Sequence, residues 1–475
     1  MRTKNPMVFI RRMFMFPVML VMAALFAQGS AYGDYYKNLP TEVKPVREIV
    51  FPDRTVILTD FGAKGDAVTL NTRAFADAIA ALEAQGGGIL QVPAGVWLTG
   101  PIELKSNICL NLDKNAIVQF SPDKTLYAGE VWLSGRALPC IRAVECTNVG
   151  ITGEGIIDGS GAAWRYVKRA KVSDVEWNRF RETGGVLREN GSQWFPWQNV
   201  YGYKDIAATP EKEERMRNDL FWASGCDGIL LRGVTFQNSP RFHVHPYHSV
   251  NVIIDGITVR APWNAQNADS IDLTDCHCVL IVNTTVDGGD DGYCLKSSEA
   301  REGTKVRGCE DILIRNSTAF HCHGGFVIGS NDVCGMRRIV CKDCRMSGSD
   351  TGLRFKSAIG RGGKTEDVWV SDIVMSDIQH EAIIFECTYA DVRNEPDTKK
   401  AKFIPEFQDI HISDVICRGC DTGIKASGLP GLRCVYDINI SNSTFVWRKA
   451  PAKIDTATAD LTLRNVTFLP EGPAN

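Results

Sequence analysis

The sequence predicts an all-β chain wound into a single parallel β-helix, a solenoid of stacked strands closed at its N-terminal end by a capping helix. Three observations predict it. Apolar anchors recur at Ile229, Val252, Val279, Ile312, Ile339, Val368, Ile410, Ile438 and Leu461, 23 to 42 residues apart. Four residues after each anchor stands Gly233, Gly256, Asn283, Asn316, Asp343, Asp372, Asp414, Asn442 or Asn465, all types that accept a left-handed backbone. Seven residues after each anchor the residue is apolar, from Phe236 to Phe468. Side chains alternate beside the corner, as in Ile438-Asn-Ile440 and Leu461-Thr-Leu463, which is strand periodicity. Short strands, sharp corners and this repeat length specify stacked coils about 4.8 Å apart. A leucine-rich repeat would need recurring leucines and an Asn ladder, and a propeller about forty residues per blade.

Composition agrees. The 475 residues are 44% hydrophobic and 23% charged, with 43 glycines for many turns. That excludes collagen, coiled coil, disorder and a polytopic membrane protein. A net charge of -3 offers no basic surface for nucleic acid.

In chain order, Arg2, Lys4, Arg11 and Arg12 precede an apolar run from Met13 to Phe26 and then small residues. Residues 1–33 therefore read as a secretory signal peptide, too short for a membrane span, and residues 34–475 as the exported domain, periplasmic or extracellular. In Asn71 to Ala84, Phe75, Ile79 and Leu82 recur at helical spacing and Gly86-Gly-Gly88 ends the run, giving the N-terminal cap. Ile108-Cys-Leu110 and Val149-Gly-Ile151 are early, less regular coils. Residues 164–218, rich in charge and tryptophan, read as an insertion over one face. Within it Trp194 and Trp197 either stack on sugars or pack the insertion down. The C-terminal half shows no comparable cap. The 16 cysteines include Cys341-Lys-Asp-Cys344 and Cys417-Arg-Gly-Cys420, read as buried thiols or disulfides rather than zinc ligands, because the pairs lie far apart. The Asn-x-Ser/Thr triplets at Asn283, Asn316, Asn442 and Asn465 occupy the corner position and read as turns.

A solenoid brings residues distant in sequence onto one line. Asp269 lies about one coil before Asp290, and Asp290 and His323 each lie eleven residues after their anchors, so they share a phase. Arg354 and Lys356 follow about one coil later, on one strand face. In Asp290-Asp291, Gly288, Gly289 and Gly292 permit a bend that aims both carboxylates into one groove. Two such neighbours repel, so one is expected to keep its proton, giving the acid and base that glycoside hydrolysis needs. Arg354 and Lys356 form a carboxylate clamp, and Gly360-Arg-Gly-Gly363 a close-approach loop. His321 and His323 could share a strand face as a metal pair, but thiolate ligands would have to come from elsewhere and His323 has a role beside Asp290, so no metal or cofactor is expected.

These motifs carry a resemblance. Asn267-Ala-Asp269, Gly289-Asp-Asp291, Cys322-His-Gly324 and Arg354-Phe-Lys356 stand in the order of the Asn-Thr-Asp, Gly-Asp-Asp, Gly-His-Gly and Arg-Ile-Lys signatures of glycoside hydrolase family 28, the polygalacturonases and related pectinases. Asp60-Phe-Gly-Ala-Lys-Gly65 is similar to the family's opening. The resemblance implies a right-handed parallel β-helix and an inverting hydrolysis of α-1,4-galacturonosidic bonds in pectin, a part of plant cell-wall carbohydrate metabolism. It implies Asp290 as general acid, Asp269 and Asp291 holding and deprotonating the attacking water, and His323 supporting the acid. It further implies Arg354, Lys356, Asn267 and Tyr389 on the substrate. The insertion and the loop Glu299 to Gly308 are similar to those of bacterial exo-acting members, so exo cleavage by a monomer is expected. The alternatives are a rhamnogalacturonan-cleaving member of the family and a calcium-dependent β-helix pectate lyase. Ala268, Cys322 and Phe355 depart from the family pattern.

Overall fold

A computed structural model describes residues 31–128, 137–188, 190–197, 209–298, 307–389 and 403–472. Most of the expected signal peptide, residues 1–30, and most of the Glu299 to Gly308 loop lie outside them. Residues up to Asn38 form a unit of their own, with one 3-10 turn at Gly33–Tyr36. Among the described residues no helix is long and apolar enough to cross a membrane.

From Leu39 onward the chain is a parallel β-helix, with 31 described strands in one continuous sheet. Each coil has three sides. Ile271–Thr274, His277–Val282 and Thr285–Asp287 make one coil. It stacks in parallel register on Val244–Tyr247, Val250–Asp255 and Thr258–Arg260 below. Above it lie Tyr293–Ser297, Cys309–Arg315 and Thr318–Phe320. The anchors pair with one another directly, as in Val252 with Val279 and Val279 with Ile312.

All nine expected corner residues, Gly233 to Asn465, have left-handed φ between 49° and 79°. Amide side chains link the corners, Asn316 Nδ2 donating to Asn283 Oδ1 at 2.7 Å and Asn465 to Asn442 at 3.0 Å. Inward side chains stack by type. Phe326, Phe355 and Phe385 form a ladder in which the last two rings lie 4.4 Å apart. The sixteen cysteines are free thiols, all but Cys334 buried. Cys344 Sγ donates to Lys342 O at 3.2 Å and Cys420 Sγ to Val446 O at 3.4 Å.

The helix Thr72–Glu83 caps the N-terminal coil with Phe75, Ile79 and Leu82 buried. At the other end, Ala459–Pro470 pairs only with Val435–Ile454 among the described strands, and Leu463 and Leu469 are exposed. Residues 39–54 supply a brace that periodicity did not reveal. Thr41 Oγ1 donates to Asp367, Lys44 N to Asp311, and Arg47 to Asn251 and Asp227, so this segment crosses several coils.

The coil ending at Ile156–Asp158 stacks directly on the one formed by Phe221–Gln237, so the chain between them leaves the ladder. The described part of this excursion holds a three-stranded antiparallel sheet, Val167–Lys168, Gln193–Phe195 and Val186–Leu187. It also holds the helix Asp174–Glu182, started by a Ser173/Glu176 capping box. Trp194 packs with Val167 and Trp177, and its indole N–H donates to Gly184 O at 2.7 Å, so it is a packing residue.

Asp332, at the end of the strand Gly324–Asp332, is fully buried. Among the described residues its carboxylate accepts only from Thr365 Oγ1, at 2.8 Å, and burial pushes its pKa up to about 8. An unfolded aspartate titrates near about 4. The folded form therefore binds more protons between these values, and stability should fall as pH rises from about 4 to about 8, by at most about 1.4 kcal/mol per unit. Asp332→Asn should remove this slope. Denaturant unfolding of both proteins across that range, compared as a difference, checks it.

Candidate active site

The groove lies on the side of the solenoid formed by Ile271–Thr274, Tyr293–Ser297, Gly324–Asp332 and Thr351–Ser357. Its reactive groups sit in the loops entering these strands and on their outward positions. Ser270 N donates to Asp291 O, which seats Asp269 beneath Asp291. His323 N donates to Asp290 O, which puts the imidazole one coil above. Thr351 N donates to His323 O, so the residue over His323 is Asp350, while Arg354 lies over Val327 and Lys356 over Gly329. Leu353 and Phe355 point into the core, leaving Arg354 and Lys356 together on the groove face.

The glycines around the aspartates work by close approach. A Cβ on Gly288 would lie 2.5 Å from Ser270 Oγ, and one on Gly289 2.4 Å from Ala265 O. Neither needs a left-handed φ. The loop Gly360-Arg-Gly-Gly363 is tight in the same way, since a Cβ on Gly363 would fall 1.9 Å from Asp332 O.

Asp290 Oδ1 meets His323 Nδ1 at 3.1 Å, and its Oδ2 accepts from Asn267 N at 3.1 Å. Asp291 Oδ2 accepts from Lys356 Nζ at 2.7 Å, with Arg354 Nη1 3.8 Å from Oδ1. Lys296 lies between Asp269 Oδ2, at 3.0 Å, and Asp272. The ring of Tyr389 is bordered by Arg354, Lys356 and Arg361, with distances of 5.1 to 5.7 Å to the centroid. Asn267 turns its side chain to the buried Arg217, which donates to Oδ1 at 3.0 Å. The structure thus gathers all eight residues singled out in the sequence, with Asn267 contributing its main chain to Asp290.

The charge distribution corrects one expectation. Repulsion between Asp290 and Asp291 was to leave one of them protonated. Burial does push both up, but the facing charges outweigh it. His323, Lys356 and Lys171 hold Asp290 well below the usual range, and Lys356 and Arg354 hold Asp291 below it. The carboxyl raised well above its ordinary value is Asp269. Burial raises it, with Asp290, Asp272 and Asp291 adding to the effect against Lys296. Asp269 Oδ1 and Asp291 Oδ1 are buried with no hydrogen-bond partner among the described residues.

Asp269, Asp291 and Cys294, and likewise Asp290, Asp291 and His323, offer donor atoms within 4.8 Å of one another. Lys296 and Lys356 already pair with Asp269 and Asp291 there. Sequence reasoning missed Lys296, Asp272, Asp350, Arg361 and Lys171. Lys296 was readable as the outward neighbour of Cys294 two positions on, whereas nothing in the sequence points Lys171 of the insertion at His323.

A β-helix with acids, an imidazole and cations gathered on stacked coils has the form of a solenoid glycoside hydrolase. Residues 167–445 match the model for glycosyl hydrolases family 28, and the chain belongs to that family. It is 28% identical over 432 residues to a protein of Vitis vinifera described as a probable polygalacturonase, covering 87% of this chain and 79% of that one. It is 25% identical to the exo-poly-alpha-D-galacturonosidase of Dickeya chrysanthemi, covering 79% of this chain and 64% of the relative. The solved structure of a hyperthermoactive exopolygalacturonase from Thermotoga maritima superposes with a TM-score of 0.72 at 30% identity, covering 90% of this chain and 94% of that one. The fold is accordingly the right-handed parallel β-helix.

Lys296 is the sole ion-pair partner of Asp272 among the described residues. Lys296→Met should destabilise the protein by about 3–5 kcal/mol, because it leaves buried carboxylates uncompensated. Adding Asp272→Asn should recover part of that loss. Unfolding free energies of the single and double variants check this, and a loss under about 1 kcal/mol would contradict it.

Proposed function

We propose that the protein is an exported polygalacturonase that cleaves α-1,4-galacturonosidic bonds from a chain end, with inversion. The observation that carries this reading is the cation group Arg354, Lys356 and Arg361 around Tyr389, set directly against Asp291. A uronate carboxylate fits that group, each charge-assisted hydrogen bond contributing about 1.5–3 kcal/mol. The polygalacturonases among its relatives support the same substrate class. No cofactor enters the reaction as proposed.

Asp290 is the general acid. With its Oδ1 3.1 Å from His323 Nδ1, it takes a proton across that contact and passes it to the leaving glycosidic oxygen. Asp291, held ionised by Lys356, takes the proton of the attacking water. The two unpartnered oxygens, Asp269 Oδ1 and Asp291 Oδ1, orient this water, and because burial raises Asp269 while Lys356 helps lower Asp291, the base is Asp291. Asp290 and Asp291 offer donor atoms within 4.8 Å. That is nearer than the roughly 6.5–9.5 Å usual between inverting carboxyl groups. The stereochemistry is therefore assigned from the family resemblance and tested on products.

The wild-type protein should release short oligogalacturonides or monomer from polygalacturonate from the first minutes, with little loss of viscosity, and NMR should show the β-anomer first. Rhamnogalacturonan as the better substrate, or a random early size distribution, would overturn the specificity or the exo mode. Asp290→Asn should lower turnover by about 100- to 10,000-fold with the fold kept, as judged by circular dichroism. Near-normal turnover would remove Asp290 from its role. Activity should be unchanged in chelator, since the carboxylates are balanced by protein cations. Loss on chelation with rescue by calcium, and products absorbing in the ultraviolet, would point to a lyase.

A further inference from the structure

Lys171 has no part in the reaction just described, yet it reaches its centre. It lies in the chain segment that leaves the solenoid, directly before the helix Asp174–Glu182. Its ammonium contacts His323 Nε2 at 3.3 Å and Gly289 O at 3.4 Å, both at the long end for hydrogen bonds. It also lies 5.0 Å from the ring centroid of Trp263. Among the described residues no carboxylate pairs with it. Burial lowers its pKa, against the pull of Asp290 and Asp350. A half-buried cation with no carboxylate paired to it is poorly compensated. The ring beneath it belongs to one of the few large aromatic side chains left open, at 43% exposure.

The two sets of cations border the aspartate pair from opposite ends. Lys356 and Arg354 meet Asp291, whereas Lys171 meets the histidine that meets Asp290. We propose that Lys171 and Trp263 form a second uronate subsite, in which the ammonium binds the carboxylate and the indole face carries the ring of the sugar across the scissile bond from Arg354 and Lys356. This rests on the galacturonan reading and deepens it. It gives the insertion a chemical task, since a solenoid without it has no Lys171. It also couples binding to catalysis. Lys171 is the weakest of the groups that hold Asp290 low, after His323 and Lys356, so a carboxylate seated on it relieves part of that hold.

The test uses the full chain and three disaccharides: digalacturonate and its two mono-acids, each with one carboxyl reduced to the alcohol. Lys171→Met should lower kcat/KM at least tenfold on digalacturonate. It should cost clearly less, within about threefold, on the one mono-acid that lacks the carboxylate Lys171 meets. Arg354→Leu should show the opposite pattern, sparing the other mono-acid. Lys171→Arg, which keeps the charge, should stay within about threefold of wild type on all three. Trp263→Ala should raise KM on digalacturonate more than it lowers kcat. If Lys171→Met costs the same factor on every substrate, or follows the same carboxylate as Arg354→Leu, the lysine only positions His323 and the subsite is wrong. Should Lys171→Met fail to fold, an unchanged KM in Trp263→Ala overturns the proposal. Should wild type act on none of the three, the galacturonan reading fails and the subsite falls with it, a result distinct from uniform loss in the variant.

Discussion

Main-chain hydrogen bonds between adjacent coils place every group in the groove. Each coil can add to the one below only if the corner after its second side turns by the same amount, and a left-handed residue makes that turn. The uniform φ at the nine corners is the visible result. Once the corners agree, the strand register follows, and with it the vertical line of Asp269, Asp291 and the coil carrying His323. An L-residue with a branched side chain at one corner would strain that coil and shift the register of the next. The spacing of carboxylates in the groove is therefore set by the ladder repeat, and the protein adjusts their chemistry by charge and burial.

That adjustment is visible in how the aspartates differ. Asp290 and Asp291 are sequence neighbours on the same bend, and burial alone would raise both. Each instead faces its own basic group, His323 for one and Lys356 for the other. Asp269 shares Lys296 with the deeper Asp272, so it receives only part of one positive charge and is pushed the other way. Three carboxylates within one coil of each other are thus pushed in different directions by burial and by the distribution of His323, Lys356 and Lys296. The repulsion between adjacent acids is outweighed at Asp290 and Asp291 by the basic groups that face them.

The solenoid was legible because its repeat is local. Anchor, corner and second apolar residue lie within eight positions, and Val279, Asn283 and Val286 state the pattern without any distant partner. The stacking of Asp290 and His323 followed from the same phase. What stayed hidden depends on contacts without period. Residues 39–54 cross the coils as an extended chain whose Thr41, Lys44 and Arg47 have no repeat to betray them. The aim of Lys171 at His323 depends on how the insertion folds back. The placement of Arg354 four positions along from Asp350 was blurred for a different reason, since coil length varies and counting residues fixes the coil but not the column.

The departures from the family signatures illustrate the division between core and groove. Ala268, Cys322 and Phe355 are all fully buried, with Cys322 and Phe355 packed in the central core. Phe355 continues the ring ladder between Phe326 and Phe385, so the larger side chain at this position is matched by its neighbours one coil away. The thiol of Cys322 donates to Phe320 O at 3.2 Å and faces the interior, while His323 beside it faces the groove. Alternation sends successive strand residues to opposite faces, so a motif of three residues carries both a chemical group and its packing. Substitution on the inward positions changes how the coil is filled, and the outward carboxylates, imidazole and cations keep their places as long as the ladder register holds.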